Sequence, residues 1–116
     1  MENISIYEEK RPWGNFRQFT HNVSSTVKII TVKPNESLSL QSHNKHAEFW
    51  HIIKGDGVAY IDDKEYNLKE GDEYNILVHI KHSLAAGPLG LQVLEISTGD
   101  FNENDIVRYK DKYGRV

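Results

Sequence analysis

The sequence predicts an all-β protein, a small antiparallel β-barrel or jelly roll with little helix. Its 116 residues show no break in composition and suffice for one hydrophobic core, so we expect a single domain over residues 1–116. Short runs in which apolar and polar residues alternate, or in which β-branched and aromatic residues dominate, are typical of strands. Glycine, proline, asparagine and aspartate recur between these runs and predict turns.

About eight or nine short strands are predicted. Segment 26–33 is rich in Val, Ile and Thr, and we expect it to be buried on much of both faces. Asp62 and Asp63 separate two runs and predict a hairpin, whereas the glycines of 55–57 and 87–90 predict breaks between strands. Only 102–114 contains a possible short helical turn, opened by Asn or Asp. The other predicted strands are 15–20, 38–43, 49–53, 58–62, 64–68, 73–78, 82–86 and 91–97.

Composition and charge exclude several kinds of partner and site. The formal net charge of −3 and the pI of about 6.0 create no field that favours DNA, RNA or anionic lipid. There is no cysteine, so a disulfide framework and a thiolate metal site are both excluded. No segment approaches the ~20 apolar residues of a membrane span. We therefore expect a soluble cytoplasmic protein with no nucleic-acid or membrane partner.

Four polar residues form a candidate metal site. Gln41 and His43 should point to one side of a strand, and a strand resuming near Glu48 would add its carboxylate. Because Glu48 precedes an apolar run, its charge requires a nearby Arg, Lys or metal cation. His82, after the turn at Gly71, is the candidate fourth ligand. This set suits a borderline divalent ion, although a solvent-facing polar strand face would produce the same alternation.

The other histidines have different expected roles. His51 faces opposite to Glu48 by strand parity and is expected to be structural or on the surface. His46 lies in the predicted loop before Glu48, close enough to contact whatever a metal binds. His79 is expected to be a satisfied loop residue, and His21, in a polar turn, is expected on the surface.

Four basic residues are the candidates for binding an anion, with ordinary solvated surface charge as the alternative for each. They are Arg11, Lys28, Arg108 and Arg115. Trp13 lies between Pro and Gly beside Arg11, and it is expected either to form a pocket rim or to plug one end of the barrel. The sequence has no Gly-rich phosphate loop, nucleophile elbow or cysteine nucleophile, which excludes several large classes of enzyme.

Taken together, these motifs resemble the cupins, and within them the type II phosphomannose isomerase domain, which is commonly fused behind a mannose-1-phosphate guanylyltransferase. The resemblance covers nearly the whole chain and keeps the order of the family's motifs. The matching motifs are Arg11 to Gly14, Val27 to Ile29, Leu38 to Gln41 with His43, Glu48 and Trp50, the Gly71 turn leading to His82, Leu94 to Ile96, Asp105 to Arg108, and Asp111 to Arg115.

The resemblance implies a metal-dependent interconversion of mannose 6-phosphate and fructose 6-phosphate. The catalytic candidates are His46, as the base, and Lys28, while Arg11, Arg108 and Arg115 are candidates for binding the sugar phosphate. The implied cofactor is a divalent ion such as Zn, Mn, Co, Ni or Mg. The cupin metal positions correspond to Gln41, His43, Glu48 and His82.

At several positions the chain differs from the isomerase pattern, which keeps alternative functions open. His46 replaces an arginine, Leu77 and His79 replace the usual Pro and Gly, and Ser83 replaces a basic residue. The main alternative is a cupin that binds a sugar, sugar phosphate or sugar nucleotide without catalysis; epimerisation or oxygenation is a further one. We also expect a homodimer, in which segment 3–7 serves as an exchanged edge strand.

Overall fold

The computed structural model describes residues 6–115, which form nine strands and no helix. β1 and β2 form a separate two-stranded hairpin, and the other strands form one antiparallel sheet. The strands are β1 Tyr7–Arg11, β2 Gly14–Gln18, β3 Ser25–Val32, β4 Leu40–Ser42, β5 His46–Ile61, β6 Lys64–Leu68, β7 Glu73–Ile76, β8 His82–Gly99 and β9 Val107–Lys110.

The two long strands, β5 and β8, organise the sheet. They pair with each other along most of their length, while β5 also pairs with β6 and β7, and β8 also pairs with β3 and β4. Their register shifts between Ile52 and Lys54 and again between Gly55 and Gly57. Such bulges bend a strand, so the two ends of β5 face different neighbours and the sheet curves around one interior.

Glycine is required where β5 passes close to β8. A Cβ atom on Gly55 would lie 2.1 Å from the carbonyl oxygen of Gly90, and Gly55 has a φ of +99°. Both the contact and the dihedral disfavour any side chain there. The predicted strand breaks at 55–57 and 87–90 were therefore wrong, because these glycines allow two long strands to bend past each other without ending.

The interior has an apolar half and a polar half. Strand alternation aims every second residue inward, and along β5 the inward side chains change from polar to apolar. The apolar half contains Val32, Trp50, Ile52, Ala59, Leu68, Ile76, Leu84, Ala86, Leu91 and Val93. The buried polar residues are Ser39, Ser42, His46, Glu48, His82, Ser83, Glu95 and Ser97.

The predicted hairpin at Asp62 and Asp63 is confirmed. These residues have φ values of 52° and 64°, and they join the paired residues Ile61 and Lys64 of β5 and β6. Two consecutive positive φ values are typical of a type I′ turn, whose twist matches that of the strands.

β3 is buried on one face only, so the prediction of two buried faces was wrong. Val27 and Ile29 are 59% and 62% exposed, whereas the alternate residue Ile30 packs against the core. Within residues 6–115, β3 pairs only with β8 and therefore has an open edge. Its β-branched composition reflects strand propensity and not burial on both sides.

The predicted helical turn near the C-terminus was also wrong. Residues 107–110 form β9, which pairs with β4 and places Arg108 opposite Gln41. An isolated helical turn of this length is marginally stable, whereas pairing with β4 provides partners for the backbone N–H and C=O groups. None of the described residues forms a helix long and apolar enough to cross a membrane.

The hairpin formed by β1 and β2 was only partly predicted. β1 is polar and was missed, whereas β2 overlaps the predicted strand 15–20 and begins one residue earlier. Trp13, in the turn of this hairpin, is 73% exposed and neither rims the polar cavity nor plugs the barrel. Segment 3–7, expected to be an exchanged strand, lies in part outside the described residues.

Candidate metal centre

A cavity of about 260 Å³ opens at the polar half of the interior. β4 contributes Gln41, β5 contributes His46 and Glu48, and β8 contributes Glu95. His43 reaches the cavity from the link between β4 and β5, and His82 lies behind it as the cross-strand partner of Gln41. Strand pairing thus brings residues that are distant in sequence to one wall.

His43, Glu48 and His82 form a compact set of potential metal ligands. One ligand atom from each lies within 4.8 Å of the others. Nε2 of His43 is 3.0 Å from Oε2 of Glu48, and Nε2 of His82 is 3.7 Å from Oε1. Glu48 and His82 are buried, and only 11% of the His43 side chain is exposed.

The two imidazoles are oriented by backbone carbonyls. Nδ1 of His43 donates to the carbonyl of Asp105 over 2.6 Å, and Nδ1 of His82 donates to that of Ile80 over 2.8 Å. Each bond places the proton on Nδ1 and leaves the lone pair on Nε2. Both Nε2 atoms are buried without a hydrogen-bond partner. A divalent cation would provide the missing partner for these buried ring nitrogens and for the adjacent carboxylate. The residues therefore fit a metal.

The protonation states of these groups also suit a cation. Burial opposes ionisation of Glu48, but the adjacent imidazoles of His43, His46 and His82 outweigh it and hold the pKa of the carboxyl well below its ordinary value. Burial lowers the pKa of His82, which keeps its ring neutral. Burial also opposes protonation of His43, but the Glu48 carboxylate and the Asp105 carbonyl raise its pKa overall. A metal at His43 would therefore compete with a proton for the ring nitrogen.

Gln41 lies where a fourth ligand would be expected. Its side chain lines the cavity, and its Oε1 accepts a 3.1 Å hydrogen bond from Ser39 Oγ. A hydroxyl donor to this oxygen fixes the orientation of the amide. Ligation by Gln41 stays a prediction.

His46 was expected in a loop, but it is the first residue of β5 and its side chain points inward. It is 2% exposed and packs between His43 and Phe101, with ring centroids 4.2 Å and 5.0 Å away. Its Nε2 lies 3.3 Å from Oε2 of Glu48. Its Nδ1 has no hydrogen-bond partner, although Asp105 Oδ2 is 3.7 Å away. Because His46 and Glu48 are two residues apart in one strand, they share a face.

Asp105 ties the segment before β9 to the metal-binding segment, and sequence reasoning missed it. Its carboxylate accepts hydrogen bonds from the backbone N–H groups of Asn44 and Lys45, while its carbonyl accepts from His43. Aspartate commonly binds local backbone amides, but here the partners lie about sixty residues away in sequence. No sequence signal indicated this long-range contact.

Three of the four candidate basic residues line the cavity. Lys28 and Arg108 line the cavity; Lys28 Nζ is 2.6 Å from Glu103 Oε1, and Nε of Arg108 is buried without a hydrogen-bond partner. Arg115 also lines the cavity, but its guanidinium is held by Asp111 at 2.7 and 3.0 Å.

The structure does not bring Arg11 to the cavity. Its guanidinium binds Glu9 within the β1–β2 hairpin, so the expectation that it binds substrate finds no support in this chain's own fold. Arg11 was expected to bind substrate only because its motif matches the family. The order of motifs in a sequence does not give the distance between Arg11 and the cavity.

The remaining histidines lie outside the cavity. His51 is on the opposite face of β5 and contacts Glu73 at 2.7 Å, as strand parity predicted. His79 contacts the side chain of Asn44, and His21 is exposed.

Glu95 is the buried acidic residue that sequence reasoning overlooked. It lines the cavity next to Glu48, and burial together with the charge of Glu48 raises its pKa to about 8. Its cross-strand neighbours are Lys28 and Trp50. The sequence signal was a lone acidic residue on a face of apolar residues, and it was interpreted only as part of an alternating strand.

The chain is similar to known proteins along most of its length. Residues 2–111 match the family model described as mannose-6-phosphate isomerase C-terminal. The mannose-1-phosphate guanylyltransferase of Salmonella montevideo is 39% identical over 116 residues, covering 98% of this chain and 25% of that protein. The alginate biosynthesis protein AlgA of Pseudomonas aeruginosa is 38% identical over 111 residues, covering 94% and 23%. The chain thus spans about a quarter of the length of these relatives.

Solved structures show the same fold at low sequence identity. A cupin protein from Bacteroides fragilis has a TM-score of 0.60 and 21% identity, covering 70% of this chain and 74% of that one. A mutant oxalate decarboxylase from Bacillus subtilis has a TM-score of 0.69 and 23% identity, covering 82% and 26%. The predicted cupin fold is confirmed. The chain belongs to the mannose-6-phosphate isomerase C-terminal family.

Proposed function

We propose that the protein is a metal-dependent isomerase that interconverts mannose 6-phosphate and fructose 6-phosphate. The observation that carries the proposal is the combination, at one cavity, of the oriented ligand set with Arg108, a half-buried residue whose Nε is buried without a hydrogen-bond partner. A buried guanidinium nitrogen without a partner is costly unless an acceptor such as a phosphate oxygen binds it. Membership of the family supports the choice of sugar phosphate.

The ligand set would hold a divalent ion through His43, Glu48 and His82, with Gln41 as the proposed fourth ligand. Zn, Mn, Co, Ni and Mg are the candidate ions, since imidazole and oxygen ligands accept all of them. Such an ion would supply Lewis-acid polarisation of the sugar carbonyl.

The chain's own residues would bind the two ends of the substrate and move its proton. Arg108 would hold the phosphate, and Lys28 at the mouth would exchange its contact with Glu103 for a phosphate oxygen. His46, whose Nε2 lies beside Glu48, would take the proton from C2 and return it to C1 through an enediol. Phe101 and Ile106 line the same cavity and would limit the access of water.

Binding without turnover is the second candidate function. The observation that favours it is the packing of His46, whose buried ring lies between His43 and Phe101 and leaves little room for a substrate carbon. A general base must come within hydrogen-bond reach of the proton that it removes. On this proposal the cavity binds a sugar, sugar phosphate or sugar nucleotide and converts none of it.

A turnover assay separates the two. The purified protein, loaded in turn with each candidate ion, is incubated with mannose 6-phosphate, and the fructose 6-phosphate formed is measured. The isomerase proposal expects product with at least one ion, whereas binding with no product for any ion supports the second function. Restored turnover in His46→Arg alone would indicate an isomerase that has lost its catalytic residue.

Arg108→Gln tests the phosphate site. Loss of a charged hydrogen bond costs about 1.5–3 kcal/mol, so the KM or Kd for the sugar phosphate should rise about 10- to 100-fold. Arg17→Gln is the matched control, because Arg17 binds Glu73 outside the cavity. Equal effects of the two substitutions would contradict the role of Arg108.

A further inference from the structure

Trp50 lies at the boundary between the apolar half and the polar half of the interior. It follows Glu48 by two residues on β5, so the two side chains share a face. The Trp50 side chain is 1% exposed and belongs to the apolar cluster that also contains Ile52 and Ile76. Its one polar atom, Nε1, donates a 3.0 Å hydrogen bond to Oε1 of Glu48. Trp50 therefore joins the hydrophobic core directly to a potential metal ligand.

The same indole contacts a second potential ligand. The rings of Trp50 and His82 lie 5.6 Å apart between centroids and are inclined at 70°, which is an edge-to-face arrangement. Nε2 of His82 is 3.7 Å from Oε1 of Glu48, the oxygen that accepts the indole N–H. Because Glu48 lies on β5 and His82 on β8, one side chain adjoins potential ligands from both long strands.

The Glu48 carboxylate needs a fixed partner because two imidazoles lie at its other oxygen. Oε2 is 3.0 Å from Nε2 of His43 and 3.3 Å from Nε2 of His46. The terminal torsion of a glutamate side chain has broad energy wells, so its hydrogen-bond partners set the orientation of the carboxylate. A hydrogen bond to an ionised acceptor is roughly twice as strong as one between neutral groups. The indole N–H therefore holds Oε1 on the side of Trp50 and His82.

Trp50 is also a core residue, and packing and orientation have different consequences. A buried indole N–H needs an acceptor, and any carbonyl oxygen would satisfy it. Here the acceptor belongs to the ligand set. Packing of the ring stabilises the fold with or without a metal, whereas orientation of a ligand changes the affinity for the metal.

We infer that Trp50 is a positioning residue, whose indole N–H orients the Glu48 carboxylate for a divalent metal ion. The inference rests on the metal site of the proposed function, but not on the substrate or on turnover. It gives a core residue an effect on metal affinity that is separate from its packing.

The test measures the affinity of purified variants for each candidate ion by calorimetry. Trp50→Phe removes the N–H and keeps an aromatic ring, and it should weaken metal binding about 10- to 100-fold, the loss typical of partners that orient a ligand. Trp13→Phe is the matched control, because Trp13 is the other tryptophan of the chain and is 73% exposed. Ile52→Val trims the same apolar cluster and should lower the Tm of the metal-free protein without changing metal affinity.

A second replacement separates the N–H from the shape of the ring. Phenylalanine is smaller than tryptophan, so Trp50→Phe also leaves a void in the core. In the Trp13→Phe protein, biosynthetic replacement of Trp50 by β-(3-benzothienyl)alanine puts a sulfur atom in place of the N–H and keeps the bicyclic ring. This protein should also bind metal about 10- to 100-fold more weakly than Trp13→Phe does. If Trp50→Phe fails to fold, the benzothienyl protein decides alone.

The outcomes separate this inference from the proposed isomerase. Unchanged metal affinity in the benzothienyl protein overturns the role of Trp50 and leaves the isomerase standing if the protein turns over mannose 6-phosphate. Equal weakening in Ile52→Val also overturns it, because any damage to the core would then lower the affinity. Weakened metal binding in the Trp50 variants without turnover by the unchanged protein supports the role of Trp50 and overturns the isomerase. Failure of the unchanged protein to bind any candidate ion overturns both.

Discussion

Replacing His82 by Asn should remove most of the stabilisation that a bound metal provides. The asparagine amide can still donate to the carbonyl of Ile80, which Nδ1 of His82 binds over 2.8 Å. The substitution deletes Nε2, the buried atom that has no other partner. It therefore tests ligation with the least change to the surrounding structure.

The size of the effect follows from the number of ligands. The ligand set contains three residues, and loss of one should weaken metal affinity by at least about 100-fold, since even outer partners cost 10- to 100-fold. Metal at about 100 times the Kd stabilises a folded protein by about 2.7 kcal/mol. At the same concentration the His82→Asn variant would gain only about 0.4 kcal/mol. For a domain of this size the difference corresponds to roughly 10 °C in Tm.

Thermal unfolding monitored by circular dichroism, with and without metal, measures this difference. His51→Asn is the matched control, because His51 lies on the outer face of β5 and contacts Glu73. The control should keep the full increase in Tm. An equal increase in His82→Asn and the unchanged protein would refute the assignment of His82 as a ligand, and loss of the increase in both variants would show a general effect of substitution.

Three other predictions concern the rest of the fold. Gly55→Ala should lower the free energy of unfolding in urea by more than about 2 kcal/mol, because its Cβ would meet a backbone oxygen at 2.1 Å. Gly71→Ala, which has a positive φ but open space, should cost only about 1 kcal/mol, and equal costs would contradict the close-contact argument. In the metal-free protein, the pKa of Glu95 rises from 4.5 to about 8 on folding, so stability falls as pH increases through that interval. Glu95→Gln cannot ionise and should gain stability relative to the unchanged protein by about 1 kcal/mol per pH unit there; parallel pH profiles of the two proteins would contradict this. Finally, the expected homodimer would cover the exposed face of β3, so light scattering should find a dimer that Ile29→Lys converts to a monomer, and a monomeric unchanged protein would rule it out.

Strand periodicity was sufficient to predict much of the candidate site. Gln41, Glu48 and His82 lie on strands whose alternation aims them inward, and the cost of burying Glu48 indicated a cation nearby. The same parity correctly placed His51 on the outer face. It also would have placed His46 inward, had β5 been predicted to begin four residues before Trp50.

Local patterns could not reveal contacts made by distant segments. Asp105 binds the backbone beside His43, and Arg108 reaches the cavity because β9 pairs with β4. Arg11 and Arg108 were equally good candidates for binding an anion, because both are arginines. Arg11, however, lies in a separate hairpin. The position of a basic residue in the fold depends on the strand with which its own segment pairs. The local sequence of neither strand reveals that pairing.

The sequence by itself determined the all-β class, the absence of thiolate ligands and the residues able to hold a metal, because these depend on composition and on a period of two. Tertiary structure decided where the strands bend, which basic residues line the cavity and that Glu95 adjoins Glu48 there. These features depend on register between strands far apart in sequence, and on glycine contacts that exist only once the sheet has formed. The ligand set was therefore visible in the chain, but the shape and charge of the cavity around it were not.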